Sequence, residues 1–227
     1  MSKNVLVIGT GTIGEPLIGL LAEHKESLGL DKVIFFKRTP LSEERGKVEA
    51  LIRKGAEIVS TNDAISEFHQ LGFNETKDVE LAYEEADVII DCTPSGNDNW
   101  ETVYSSLSQD KRFLAQGSEH GFGPFFAWGI NNKILSDDSN KFLIASCNTH
   151  NIASIVKSFA LDQQRNLTEG KFVCLRRAND VSQNDSFSPS PTITKHTNQA
   201  FGTHHARDVY ELFAQEGKEL NLFSSAI

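Results

Sequence analysis

Asn4-Val-Leu-Val-Ile-Gly9-Thr-Gly11-Thr-Ile-Gly14 is the stretch that decides the fold. Val5 to Ile8 form an apolar run that reads as a strand, and Leu17, Ile18, Leu20 and Leu21 resume the apolar pattern at helical spacing. Between them lies Gly9-x-Gly11-x-x-Gly14. Glycines there permit a tight turn and let a pyrophosphate approach the helix N-terminus, where free N–H groups favour anions. With a strand before it and a helix after it, the run predicts a dinucleotide site built from Gly9, Gly11, Thr12, Ile13 and Gly14. A glycine turn without a ligand is the alternative.

Working outward, Lys32-Val-Ile-Phe-Phe-Lys37 reads as the second strand. An acidic residue at its end would bind the ribose hydroxyls of NAD. This chain has Lys37-Arg38-Thr39-Pro40 instead. Two cations and a hydroxyl suit a 2′-phosphate, so NADP is expected over NAD; a solvated pair of charges is the other reading. Residues 42–54 look helical, with Glu43 and Glu44 in the first turn and Gly55 as a stop. A short strand at 57–59 and helices near 63–71 and 79–86 lead to Asp87-Val-Ile-Ile-Asp-Cys92, the strongest strand pattern of the chain. A helix, a strand at 112–116 and a strand before Cys147 follow. Strands alternating with helices predict an α/β fold, a Rossmann-type parallel sheet with helices on both faces. Thr93-Pro94-Ser95-Gly96 and Gln116-Gly117-Ser118 end two strands and are placed at the cofactor, or else merely reverse the chain. Asp91 reads as a structural hydrogen-bonding group and Cys92 as a core residue.

Phe142-Leu143-Ile144-Ala145-Ser146-Cys147-Asn148-Thr149-His150 carries the chemistry. The apolar run predicts a buried strand, and Ile152, Ile155, Val156 and Phe159 predict a helix after it. Cys147 then falls at the hand-over, beside N–H groups that favour the nucleophilic thiolate and could hold the oxyanion of an attacked carbonyl. A small buried apolar cysteine is the competing reading.

The totals are those of a water-soluble globular chain. At 227 residues there is enough length to bury a core, and 39% hydrophobic with 23% charged residues is ordinary. A net charge of −9 argues against a nucleic-acid or anionic-membrane surface. Apolar sequence begins by Val5, leaving no room for a secretory leader, and no run reaches membrane-spanning length. Cys92, Cys147 and Cys174 are odd in number and lack metal spacing, so a reducing cytoplasm and no metal are expected.

The character changes after Cys147. Residues 171–177 read as a strand, 179–203 as a long Asn/Ser/Pro/Thr-rich loop, and 205–216 as a helix using Val209, Leu212 and Phe213. Leu220-Asn-Leu-Phe-Ser-Ser-Ala-Ile227 runs out from an apolar segment, which reads as truncation. The expected division is therefore 1–146, a nucleotide-binding Rossmann domain, and 147–227, an incomplete α+β catalytic domain.

Taken together, Gly11-Thr-Ile-Gly14, Lys37-Arg-Thr-Pro40, Asp87-Val-Ile-Ile-Asp-Cys-Thr-Pro94, Gln116-Gly117, Ser146-Cys-Asn-Thr149, Arg176-Arg177 and His204-His205 resemble, in order, the type II (archaeal-type) glyceraldehyde-3-phosphate dehydrogenases. The resemblance covers nearly all of the chain but about the first two-thirds of a typical member. It implies a Cys147 thiolate attacking an aldehyde, hydride transfer to NADP (or NAD), and release of the thioester by inorganic phosphate. It further implies substrate contacts from Ser146, Asn148, Thr149, Arg176, His204 and His205, and cofactor contacts from Thr93, Gly117 and Arg177. A homotetramer and glyceraldehyde 3-phosphate as substrate come with it. The chain departs from the pattern at Ala206-Arg207, where Gly-Pro is usual, and at His150-Asn151, where Thr-Gly is usual. The family's general-base histidine would follow residue 227. A catalytically silent NADP-binding module, or another cysteine-dependent semialdehyde dehydrogenase, are the alternatives.

Overall fold

The computed structural model describes residues 3–116, 119–136, 138–162, 167–175, 196 and 198–227. The chain divides into two compact units, Met1–Phe122 and Gly123–Ile227.

The first unit contains β1 (Lys3–Ile8), β2 (Leu30–Phe36), β3 (Glu57–Ser60), β4 (Lys77–Asp78), β5 (Val88–Asp91) and β6 (Arg112–Gln116). They lie in the order β4-β3-β2-β1-β5-β6, every neighbouring pair parallel. The chain lays β2 to β4 on one side of β1, then crosses to place β5 and β6 on the other. The seam between β1 and β5 is thus the switch point at which open α/β sheets bind ligands.

Parallel strands need crossovers, and α1 (Gly14–Glu23), α2 (Arg45–Arg53), α3 (Ile65–Gln70), α4 (Val79–Glu85) and α5 (Gly96–Thr102) supply them. Val5 and Val7 of β1 share a core with Ile18 and Ala22 of α1, Val48 and Leu51 of α2 and Phe68 of α3. The alternate residues Leu6 and Ile8 are buried as well. Successive strand residues point to opposite faces, so both faces of this sheet are covered, as the Rossmann-type expectation requires. The helix expected over 42–54 opens instead as a 3₁₀ turn, Ser42–Glu44, before α2. The two residues of β4 are too few to leave a periodic signal.

The second unit holds β7 (Phe125–Phe126), β8 (Lys141–Ile144), α6 (Cys147–Val156), β9 (Gly170–Cys174), α7 (His204–Ala214) and β10 (Leu222–Ala226). β7 pairs with β8 and β9 with β10, both in parallel. Compactness groups β8 with the helix that follows it, whereas the division drawn from sequence at 146/147 cuts between them. α6 packs on α7; the buried residues are Ile152, Ala153 and Val156 on the first helix and Ala206, Val209, Leu212 and Phe213 among those on the second. Ile155 and Phe159, two of the four residues whose spacing predicts the helix, are exposed, and Phe159 falls in a π-helical turn at Lys157–Leu161 that follows α6. The apolar run at 220–227 contains β10, folded into the unit beside β9.

Candidate functional site

At the β1–β5 switch point the glycine run makes a cradle that side chains would fill. Gly9 adopts φ +95°, a conformation that favours glycine, and a Cβ on Gly14 would stand 2.0 Å from the Gly9 carbonyl oxygen. A Cβ on Gly11 would meet nothing within 4 Å, so this side of the turn is open. Thr12 and Ile13 are exposed beside it at the start of α1. The α1 N-terminus has no side-chain cap. The Glu15 N–H bonds the Gly11 carbonyl and Pro16 carries none, so among the described residues of this first turn the Gly14 N–H is the one open to an anion such as a pyrophosphate.

A cavity of about 430 Å³ continues from this turn, lined among others by Gly9, Lys37, Arg38, Thr39, Thr93 and Ser95. A second hollow of about 310 Å³ is lined by Thr12, Ile13, Cys92, Thr93, Pro94, Gln116 and Glu119. Thr93 therefore borders both, and its orientation is set from below. Asp91, 1% exposed, accepts hydrogen bonds at Oδ1 from the Thr93 N–H (2.8 Å) and hydroxyl (2.6 Å), and at Oδ2 from Asn99 Nδ2 and the Tyr104 hydroxyl (both 2.7 Å). These donors are neutral and satisfy a buried carboxylate without an ion pair. The structural role read for Asp91 is the observed one. Burial pushes the neighbouring Cys92 thiol up to about 12, with the charge of Asp91 adding to it.

The two cations read at the end of β2 part company. Lys37 is 6% exposed and its ammonium is paired with Glu44. Lys47 reaches the other oxygen of Glu44 at 2.9 Å, Glu15 at 3.4 Å and the Thr10 carbonyl at 3.5 Å. Burial pushes the Glu44 carboxyl up, but the hydrogen bonds and charges of Lys37 and Lys47 outweigh it and hold the group below its ordinary value. Arg38 and Thr39 are exposed at the cavity, and Arg38 has no ion-pair partner among the described residues. Sequence reasoning gave Glu44 to the helix dipole and missed its pairing with Lys37, which lines the cavity.

The second unit gathers the other predicted residues. Cys147 is the first residue of α6 and is exposed, which disposes of the buried-cysteine reading. Ser146 caps the helix: its hydroxyl accepts from the Thr149 N–H at 3.4 Å and meets the Thr149 hydroxyl at 2.9 Å. The His150 N–H bonds the Ser146 carbonyl. Of the first four N–H groups of α6, those of Cys147 and Asn148 have no acceptor among the described residues. Asn148 Nδ2 lies 3.4 Å from His205 Nε2, and the His205 ring is 4.0 Å, centre to centre, from that of His204. Both histidines open α7, whose start is fixed by Ser224 of β10: its hydroxyl accepts from the Ala206 N–H at 3.1 Å and meets the Thr203 hydroxyl at 2.6 Å. That support lies 18 residues away in sequence and left no local signal. Gly117, Arg176, Arg177 and residues 179–195 of the expected loop lie outside the described residues. Among the described residues no group of three or more His, Cys, Asp or Glu is placed to hold a metal, and no helix is long and apolar enough to cross a membrane.

Fold and site define a class: a Rossmann-type α/β chain with a dinucleotide cradle in its first unit and a cysteine-headed helix in its second. Within that class, the chain resembles the archaeal-type glyceraldehyde-3-phosphate dehydrogenases. It is 25% identical over 231 residues to a glyceraldehyde-3-phosphate dehydrogenase of Metallosphaera sedula, covering 98% of this chain and 61% of that protein. It is 28% identical over 185 residues to one of Methanobrevibacter smithii, covering 80% and 52%. For glyceraldehyde-3-phosphate dehydrogenase 1 of Methanosarcina barkeri the figures are 23% over 230 residues, 100% and 63%. The chain thus spans between 52% and 63% of the length of these curated relatives. No protein-family model matches it. Among solved structures, aspartate semialdehyde dehydrogenase II of Vibrio cholerae matches with a TM-score of 0.48 and 10% identity over 100% of this chain and 69% of that one. Haloferax mediterranei glucose dehydrogenase in complex with NADP, Zn and gluconolactone gives 0.38 and 16% over 77% and 45%.

Proposed function

We propose that this chain carries the nucleotide-binding and nucleophile-bearing parts of a phosphorylating glyceraldehyde-3-phosphate dehydrogenase that prefers NADP and works in a reducing cytoplasm as a homo-oligomer. One observation supports it above the rest. The Asn148–His205 contact joins two motifs 57 residues apart, both of which the family resemblance assigns to the substrate. A chance match in one segment gives no reason for the other to fold beside it.

Gly9, Gly11 and Gly14 with the α1 N-terminus would hold the pyrophosphate, and Arg38 with Thr39 the 2′-phosphate. A nicotinamide dinucleotide held there would supply the hydride acceptor. Cys147 Sγ attacks the aldehyde carbon of glyceraldehyde 3-phosphate, forming a C–S bond and a hemithioacetal oxyanion beside the N–H groups of Cys147 and Asn148. Loss of hydride from that carbon leaves a thioester on Cys147. An oxygen of inorganic phosphate then attacks the carbonyl, the C–S bond breaks, and the acyl phosphate leaves as the thiolate returns. His204 and His205 are aromatic, hydrogen-bonding neighbours for the substrate on α7.

NADPH formation with glyceraldehyde 3-phosphate, followed with and without inorganic phosphate, tests this. Phosphate-dependent turnover is the expected result. NADP binding without turnover would instead favour a silent nucleotide-binding module, and turnover of unphosphorylated semialdehydes another substrate class.

A further inference from the structure

Lys37, which lines the larger cavity, is one end of a charged network. Lys37, Lys47, Glu44 and Glu15 form a chain of ion pairs linking the end of β2, the 3₁₀ turn, α2 and α1. Two ammonium groups face two carboxylates, so the cluster is balanced. Lys37 lines the cavity, yet its charge is committed to Glu44. Arg38 is the surplus cation there. A phosphate carries about −1.5 to −2 charges at neutral pH, and one guanidinium matches only part of that.

We infer that Glu44 is a specificity-determining residue: by holding Lys37 it withholds a second cation from the 2′-phosphate and sets an upper limit on the preference for NADP over NAD. The inference rests on the nucleotide site proposed above. Glu44 touches no part of the dinucleotide in this scheme and acts through Lys37. Lys47 stays anchored by Glu15 and the Thr10 carbonyl when Glu44 is neutralised, so the glycine turn keeps its support.

The experiment is calorimetric titration of the full 227-residue protein with NADP and with NAD, without substrate, giving the ratio Kd(NAD)/Kd(NADP). Glu44→Gln should raise this ratio roughly tenfold, the value of one added charge-assisted contact. Lys37→Met with Glu44→Gln should bring it back to within about twofold of the wild type, since a neutral pair replaces a balanced one. Should Glu44→Gln prove unstable, Glu44→Asp withdraws the carboxylate by one methylene and should raise the ratio in the same direction. An unchanged ratio in the single variant, or a raised ratio that persists in the double variant, overturns the role of Glu44 while leaving the nucleotide site standing. A wild-type protein that binds neither dinucleotide overturns both.

Discussion

Gly14 shows how much rests on one missing methyl group. A Cβ there would sit 2.0 Å from the Gly9 carbonyl oxygen, so Gly14→Ala must move the turn or the helix. Overpacking of this kind costs about 1–3 kcal/mol, and denaturant unfolding should register it together with lost dinucleotide binding. At Cys147 the expectation is different in kind: Cys147→Ser should abolish turnover and leave NADP affinity, read by fluorescence titration, nearly unchanged. Loss of affinity would show that the cysteine does more than attack. Cys92 is the internal control. Its thiol is raised to about 12, so it stays protonated and silent toward iodoacetamide at pH 8 while exposed Cys147 is labelled; peptide mapping distinguishes the two. Because the folded value lies above the ordinary 9.0, Cys92 stabilises the fold fully below about pH 9 and loses that contribution as pH rises through about 12. Cys92→Ala should flatten the alkaline decline in that window. The glycines and Cys147 were legible in sequence because their roles are local, set by a turn and a helix start. Lys37 was not, because its availability is decided by Glu44, and nothing in a string of letters says which way a carboxylate seven residues on will turn.

Elements hold each other in place through single polar groups. The turn after β5 hangs from Asp91, and Tyr104→Phe would leave that buried carboxylate with one donor fewer. A loss of about 1–3 kcal/mol follows, and guanidinium unfolding should show it with little change in backbone circular dichroism. Ser224 does the same for α7. Ser224→Ala removes the acceptor of the Ala206 N–H and the partner of Thr203, and about 1 kcal/mol is expected from a lost cap of this type. Hydrogen exchange at the first turn of α7 should quicken before that at α6. Helix and strand existence followed from apolar period over most of the chain. β10 escaped it because Ser224 and Ser225 interrupt an apolar segment, and the buried Ser224 is explained only by partners distant in sequence, the strand β9 and the start of α7.

At the scale of the whole molecule, a net charge of −9 repels the anionic cofactors and substrates proposed for it, so local cations must overcome a global field. Arg38 is exposed at the cavity rim and is screened accordingly. Raising salt from 50 to 500 mM should weaken NADP binding more than NAD binding, because the 2′-phosphate adds charge that the exposed Arg38 is proposed to meet. Equal losses would place the discrimination elsewhere. The alternation of strands and helices made the first unit readable as a Rossmann-type sheet, since every crossover repeats one local pattern. The second unit joins β9 to β10 across some 50 residues with no such repeat, and its plan emerged only in three dimensions. That arrangement also orders events during synthesis. All six strands of the first unit have left the ribosome once Gln116 emerges, and domains fold from the N-terminus as they appear. The hydroxyl that seats α7, and through His205 steadies Asn148 beside the cysteine, arrives with residue 224. A nascent chain can therefore complete its nucleotide cradle well before its thiol is framed for chemistry.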